Sequence, residues 1–187
     1  EPISAYDSTC SAEDNEAGDC FGGVARLVTA VQEARGRAGD NLLLVDGGDQ
    51  FQGTLFYTYY KGEMTAEFMN QLGYDAMTGG NHEFDDGPEV LRAFIDNVDF
   101  PVLMSNADVS GEEKLADAIQ KSTVIERGGE KIGLIGLTPQ DTDELASPGP
   151  DVIFTDPVEA VQAEVDRLTE EGVNKIVVLS HSGFETD

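Results

Sequence analysis

Leu42-Leu43-Leu44-Val45-Asp46-Gly47-Gly48-Asp49 sets a four-residue apolar run directly before two glycines bracketed by carboxylates. A run this short, ending in turn residues, reads as a central parallel strand buried on both faces, with a loop at its carboxyl end. The pattern recurs. Tyr74-Asp75-Ala76-Met77 leads into Gly79-Gly80-Asn81-His82, Pro101-Val102-Leu103-Met104 is a third strand, and Lys175-Ile176-Val177-Val178-Leu179 delivers Ser180-His181-Ser182-Gly183. Helical periods lie between them: Val24, Leu27, Val28, Val31 and Ala34, stopping at residues 36–39; Met64, Phe68, Met69 and Leu72; and Val90, Leu91, Phe94 and Ile95 after Asp86-Gly87-Pro88. Residues 122–127 and 131–137, joined through Gly128-Gly129, read as a hairpin. Asp156 and Pro157 cap and open a helix that runs to residue 171. Alternating strands and helices predict a layered α/β domain whose ligands gather at the carboxyl ends of strands.

The 187 residues are 40% apolar, enough for one ordinary core, and the length favours a single domain over residues 1–187. Thirty-seven acidic residues against 11 basic ones give a formal net charge of −26, which repels nucleic acid and anionic membrane surfaces. No stretch approaches the roughly 18 consecutive apolar residues of a membrane helix. Glu1-Pro2-Ile3-Ser4 carries neither the basic nor the apolar part of an export signal. The expectation is a soluble chain with no nucleic-acid partner and no membrane span. The acidic pairs Glu112-Glu113 and Glu170-Glu171 lack the ligand spacing of a calcium loop. Cys10 and Cys20 are the only cysteines and flank a polar stretch, residues 11–19, without a pattern of its own. They are either a disulfide, worth ~2–3 kcal/mol in the chain-entropy model and implying an oxidising compartment, or two thiols of a reducing one.

Both histidines of the chain, with Asn81 and Asp49, fall just after three different apolar strands. Each has an ordinary explanation alone: Asp49 as a turn residue, Asn81-His82 as a turn with a surface imidazole, His181 as a satisfied core side chain. Together a carboxylate, an amide oxygen and an imidazole at neighbouring strand ends make the donor set that hard or borderline divalent cations require.

Three runs carry a resemblance: Phe21-Gly22-Gly23-Val24-Ala25-Arg26-Leu27, Gly48-Asp49-Gln50-Phe51-Gln52-Gly53-Thr54 and Gly80-Asn81-His82-Glu83-Phe84-Asp85. Over essentially the whole chain they resemble the N-terminal catalytic domain of the 5′-nucleotidase family, calcineurin-like metallophosphoesterases that include UDP-sugar hydrolases. The resemblance implies a β-sheet sandwich flanked by helices. It matches Asp49 to the carboxylate that bridges two metal ions, and Asn81 and His181 to ligands of the second metal. It matches His82 to a non-ligand that pairs with an acidic residue, here Asp85, and faces the scissile phosphate as transition-state stabiliser or general acid. Cys10 and Cys20 match the disulfide-bonded pair of exported members, which implies a periplasmic, extracellular or cell-surface location.

The same resemblance implies zinc or manganese as cofactor, two ions in a longer parent protein and one or none here. The family's opening Asp-x-His strand, a later Gly-x-His-x-His loop and the C-terminal nucleotide-binding domain have no match in these residues. The expectation is thus an incomplete metallophosphoesterase domain whose parent takes a nucleoside 5′-monophosphate to nucleoside and phosphate. Alternatives are a parent acting on UDP-sugars or 2′,3′-cyclic nucleotides, and a non-catalytic module holding at most one metal. An unfilled sheet position would leave an edge free for self-association.

Overall fold

The computed structural model describes residues 2–7 and 9–187. The chain divides into two compact units, Glu1–Leu42 and Leu43–Asp187. In the first, β1 (Pro2–Ser4) pairs antiparallel with β2 (Cys20–Gly22), and a disulfide joins Cys10 to Cys20. The stretch between the cysteines, expected to lack a pattern, forms α1 (Ala12–Ala17). Ser11 Oγ accepts from the Asp14 N–H at 3.0 Å, and the Asp14 carboxylate accepts from the Ser11 N–H at 3.3 Å. This reciprocal cap satisfies two donors that a helix start leaves unpaired. Asn15 Oδ1 also accepts from Arg26 Nη2 at 2.8 Å, tying α1 to α2 (Val24–Ala38). α2 passes through Gly36 before ending at Gly39, and of its apolar stripe only Val31 is buried.

In the second unit, β3 (Val45–Asp46), β4 (Ala76–Thr78) and β5 (Val102–Leu103) form a parallel sheet in that order. Its connections are α3 (Leu55–Tyr60), α4 (Glu63–Leu72) and α5 (Gly87–Asn97). β6 (Ala107–Asp108) pairs antiparallel with β9 (Ile153–Phe154), which follows the short α6 (Thr142–Leu145). β7 (Ser122–Arg127) and β8 (Glu130–Leu137) form the expected hairpin through Gly128-Gly129. β10 (Ile176–Ser180) then runs parallel to β8, completing a second sheet in the order β10-β8-β7. The Asp156 carboxylate accepts from the Glu159 N–H at 2.9 Å at the start of α7 (Pro157–Glu170).

Side chains alternate across each strand, so every buried strand serves two cores. Ala76 and Leu103 meet Leu134 and Leu179 between the sheets. Met77 and Val102 face the other way, into a core with Phe51, Tyr57, Met69, Leu91 and Phe94. Ile135 packs on Leu168 and Val173 beneath α7. Each such fully buried aliphatic or aromatic side chain contributes about 1.5–3 kcal/mol. The layers are helices, sheet, sheet and helix, the α/β sandwich expected.

One strand departs from expectation. Among the described residues β3 pairs only with β4, and its ladder holds two residues, so the run from Leu42 is an edge and not a centre. Leu43 and Val45 pack into the inter-sheet core while the run as a whole stays half-buried. Its apolar character therefore reflects one buried face, where a central parallel strand would have two. β10 is likewise an edge among the described residues, with Val177 and Val178 exposed.

Candidate active site

The parallel register of β3 and β4, with Asp46 opposite Met77, brings the loops at their carboxyl ends side by side. The fit depends on missing side chains. A Cβ on Gly48 would sit 2.5 Å from the Gly80 nitrogen, and one on Gly80 would strike the Asp49 carboxylate. Asp49 itself takes a left-handed φ of 59°, a conformation that Asp tolerates better than most residues. Its Oδ1 accepts from the His82 N–H at 3.1 Å.

β10 brings the third element. The His181 N–H donates to Leu137 O at the end of β8 at 2.9 Å, which carries the imidazole over to the Asp49 loop. There Nδ1 lies 2.6 Å from Gly47 O, and Nε2 lies 3.0 Å from Asp49 Oδ2. A carbonyl only accepts, so Nδ1 carries the hydrogen. Nε2 then faces the carboxylate either through a second proton or as a bare lone pair against an acceptor. A divalent cation in place of that proton suits both groups, so the donor chemistry fits a metal. Asn81, half-buried, stands between Gly80 and His82 at the head of the 3-10 turn His82–Phe84. Among the described residues no three His, Cys, Asp or Glu side chains converge as a metal-binding group. The cluster has two of that kind, Asp49 and His181, and Asn81 directly precedes His82, whose N–H reaches Asp49.

His82 and Asp85 face each other across one helical turn. His82 Nδ1 lies 2.6 Å from Asp85 Oδ2, and the same oxygen accepts from Gln52 Nε2 at 2.5 Å. A carboxylate holding Nδ1–H leaves Nε2 available to a ligand. The hydrogen bond to Asp85 is the largest cause raising the imidazole above its ordinary value of 6.5; the negative charges of Asp49, Asp85 and Glu83 add to it, against some loss from burial.

Three residues here were not singled out from the sequence. Asp46 accepts from the Gly48 N–H at 3.0 Å and from Gln50 Nε2 at 3.1 and 3.0 Å, and burial raises its carboxyl above the usual range. Glu83 is fully buried and accepts four backbone N–H groups; burial raises its carboxyl, and those N–H groups pull it back. Gln52 steadies Asp85 as described. None of the three announces its role in the sequence, although Glu83 lies directly before Phe84 within the same motif as Asn81 and His82. Close by, Asp86 takes hydrogen bonds from Tyr57 Oη at 2.5 Å and Lys61 Nζ at 3.0 Å, fixing α3 to the start of α5.

The family model for calcineurin-like phosphoesterases matches residues 17–186. The chain belongs to that family. Calcineurin-like phosphoesterases use divalent metal ions, which agrees with the donor set at Asp49 and His181. A 5′-nucleotidase of Diplobatis ommata is 48% identical over 182 residues, 93% of this chain and 31% of the relative. The crystal structure of a 5′-nucleotidase precursor from Thermus thermophilus superposes with a TM-score of 0.86 at 45% identity, covering 91% of this chain and 34% of that one. The NAD nucleotidase of Haemophilus influenzae superposes at 0.83 with 33% identity, over 89% of this chain and 33% of that one. This calcineurin-like chain thus spans about a third of the length of the relatives it matches.

Proposed function

We propose that the protein is a divalent-metal-dependent phosphohydrolase that takes nucleoside 5′-monophosphates to nucleosides and phosphate. The observation that carries this reading is the placement of His181 Nε2 at 3.0 Å from Asp49 Oδ2 with Nδ1 committed to Gly47 O, beside the accessible His82–Asp85 pair. The 5′-nucleotidases among its relatives supply the substrate class. Asp49, Asn81 and His181 hold the metal, and a mixed carboxylate, amide and imidazole set suits zinc or manganese. When bound, such ions neutralise phosphate oxygens and make a coordinated water acidic enough to attack near neutral pH.

The remaining chemistry belongs to His82. Its Nδ1–H is anchored on Asp85, so the ring orientation is set and Nε2–H is presented to a phosphate oxygen where negative charge develops. The hydrogen bond to Asp85 and the neighbouring carboxylates favour the protonated imidazole, the state in which it can donate. The Cys10–Cys20 disulfide supports a periplasmic or extracellular setting, since such bonds persist in oxidising compartments. No helix among the described residues is long and apolar enough to cross a membrane.

The test is phosphate release from AMP by the full-length protein that contains this chain, before and after chelation and after zinc or manganese is restored. Release that disappears with the metal and returns with it is expected; release indifferent to chelation, or none in any state, contradicts the proposal.

A further inference from the structure

Glu83 lies between His82 and Phe84, yet its side chain points away from solvent and is fully buried. Oε2 accepts from the Asp49 N–H at 2.9 Å and from the Gly80 N–H at 2.6 Å. Oε1 accepts from the Gln50 N–H at 2.7 Å and the Phe51 N–H at 3.2 Å. One carboxylate therefore ties the loop after β3 to the loop after β4. All four partners are donors, so only an acceptor with two equivalent oxygens satisfies them. A glutamine of the same shape would turn an NH2 group toward two N–H groups. The clamp also acts where the loops have no slack, because Gly48 and Gly80 already meet backbone to backbone.

We propose that Glu83 is the positioning residue of the metal site: by holding the Asp49 amide and the Gly80 amide on one carboxylate, it fixes Asp49 and Asn81 at ligand spacing before a cation arrives. The inference rests on the reading of Asp49 and Asn81 as metal ligands. Its physical basis is preorganisation. Loops free to separate would lose conformational freedom on binding metal, whereas loops already pinned lose little, and groups that orient ligands typically govern metal affinity by about 10–100-fold. Were Glu83 merely structural, its substitution would lower stability and leave the affinity of the folded protein unchanged.

Calorimetric titration of zinc and of manganese into the full-length protein separates the two. Four proteins are compared: the wild type, Glu83→Gln, Glu83→Asp, and Leu168→Ala as a stability control in the separate apolar cluster beneath α7. All are titrated at a temperature where they are folded. Glu83→Gln is expected to weaken metal binding about 10–100-fold, while Leu168→Ala lowers the melting temperature and binds as the wild type does. Glu83→Asp keeps the charge but withdraws it by one methylene, so it falls between, and it carries the test if the Gln variant does not fold. Glu83 variants that bind as tightly as the wild type, or an equal loss in Leu168→Ala, overturn the clamp. A wild type that binds neither metal overturns the metal-site reading, and the clamp with it.

Discussion

The Asp49 loop and the His82–Asp85 pair touch each other through the 3.1 Å hydrogen bond from the His82 N–H to Asp49 Oδ1, yet they are held in opposite ways. Around Asp49 the backbone itself is pinned. Glu83 fastens residues 49 to 51 and Gly80 from a position without solvent, and two glycines bring the loops into contact. Around His82, side chains hold side chains: the imidazole on Asp85, Asp85 on Gln52, with the His82 side chain 43% exposed. The contrast suits the proposed tasks. Metal ligands need distances that do not drift, which backbone anchoring in a dry environment supplies. A group that hands a proton to a substrate needs access and a tuned charge, which a half-exposed imidazole beside carboxylates supplies.

Substitutions on the two sides should therefore fail differently. Gly80→Ala breaks the pinned side most severely, because its Cβ meets the Asp49 carboxylate and stands 2.8 Å from the Asp49 nitrogen, which Glu83 holds in place. Loss of metal binding is expected, with about 1–3 kcal/mol of destabilisation from overpacking, as read by titration and thermal unfolding. His82→Ala tests the accessible side. It should lower kcat about 10²–10⁴-fold, the usual worth of a positioned proton donor, while metal content stays at the wild-type level.

Asp85→Asn is milder and sharpens the comparison through pH. His82 titrates above 6.5 chiefly because of its hydrogen bond to Asp85, so removing that charge should lower the value in metal-free protein, read by NMR titration of the imidazole. The sign for stability follows. A histidine raised on folding adds stability that is fully present below pH 6.5 and is lost as pH rises through the folded value. The wild type should lose more melting temperature across that window than Asp85→Asn does. Gln52→Ala should have the smallest effect, below tenfold in kcat, since it deletes one exposed hydrogen bond worth about 0.5–1.5 kcal/mol.

Much of this arrangement is legible in the sequence, for a physical reason. Strands that end in Gly, Asp and Asn advertise both a buried segment and the loop that follows, so Asp49, Asn81, His82 and His181 could be placed at strand ends before any coordinates. The pairing of His82 with Asp85 needed the family resemblance, and the structure sets the two 2.6 Å apart. What stays hidden is set by contacts distant along the chain. β3 looks central because its run is uniformly apolar, whereas sheet position depends on which strands pair with it. Leu55-Phe56-Tyr57-Thr58-Tyr59-Tyr60 has the composition of a strand. It is helical because Thr54 accepts from the Phe56 N–H and only Tyr57 is buried. α1 is announced by nothing more than Ser-x-x-Asp, and β6 and β9, at two residues each, are too short to show alternation. Glu83 is the clearest case. Nothing in its neighbours predicts a carboxylate buried by amides from more than thirty positions earlier in the chain.

The proposed division of labour gives metal binding to Asn81 and His181 and chemistry to His82. The measurement that tests it most directly is metal content by mass spectrometry of the zinc- or manganese-loaded protein, with the double variant Asn81→Ala/His181→Ala set against His82→Ala. The double variant is expected to lose its metal and His82→Ala to keep the wild-type complement. Metal retained in the double variant, or lost as fully in His82→Ala, would contradict it.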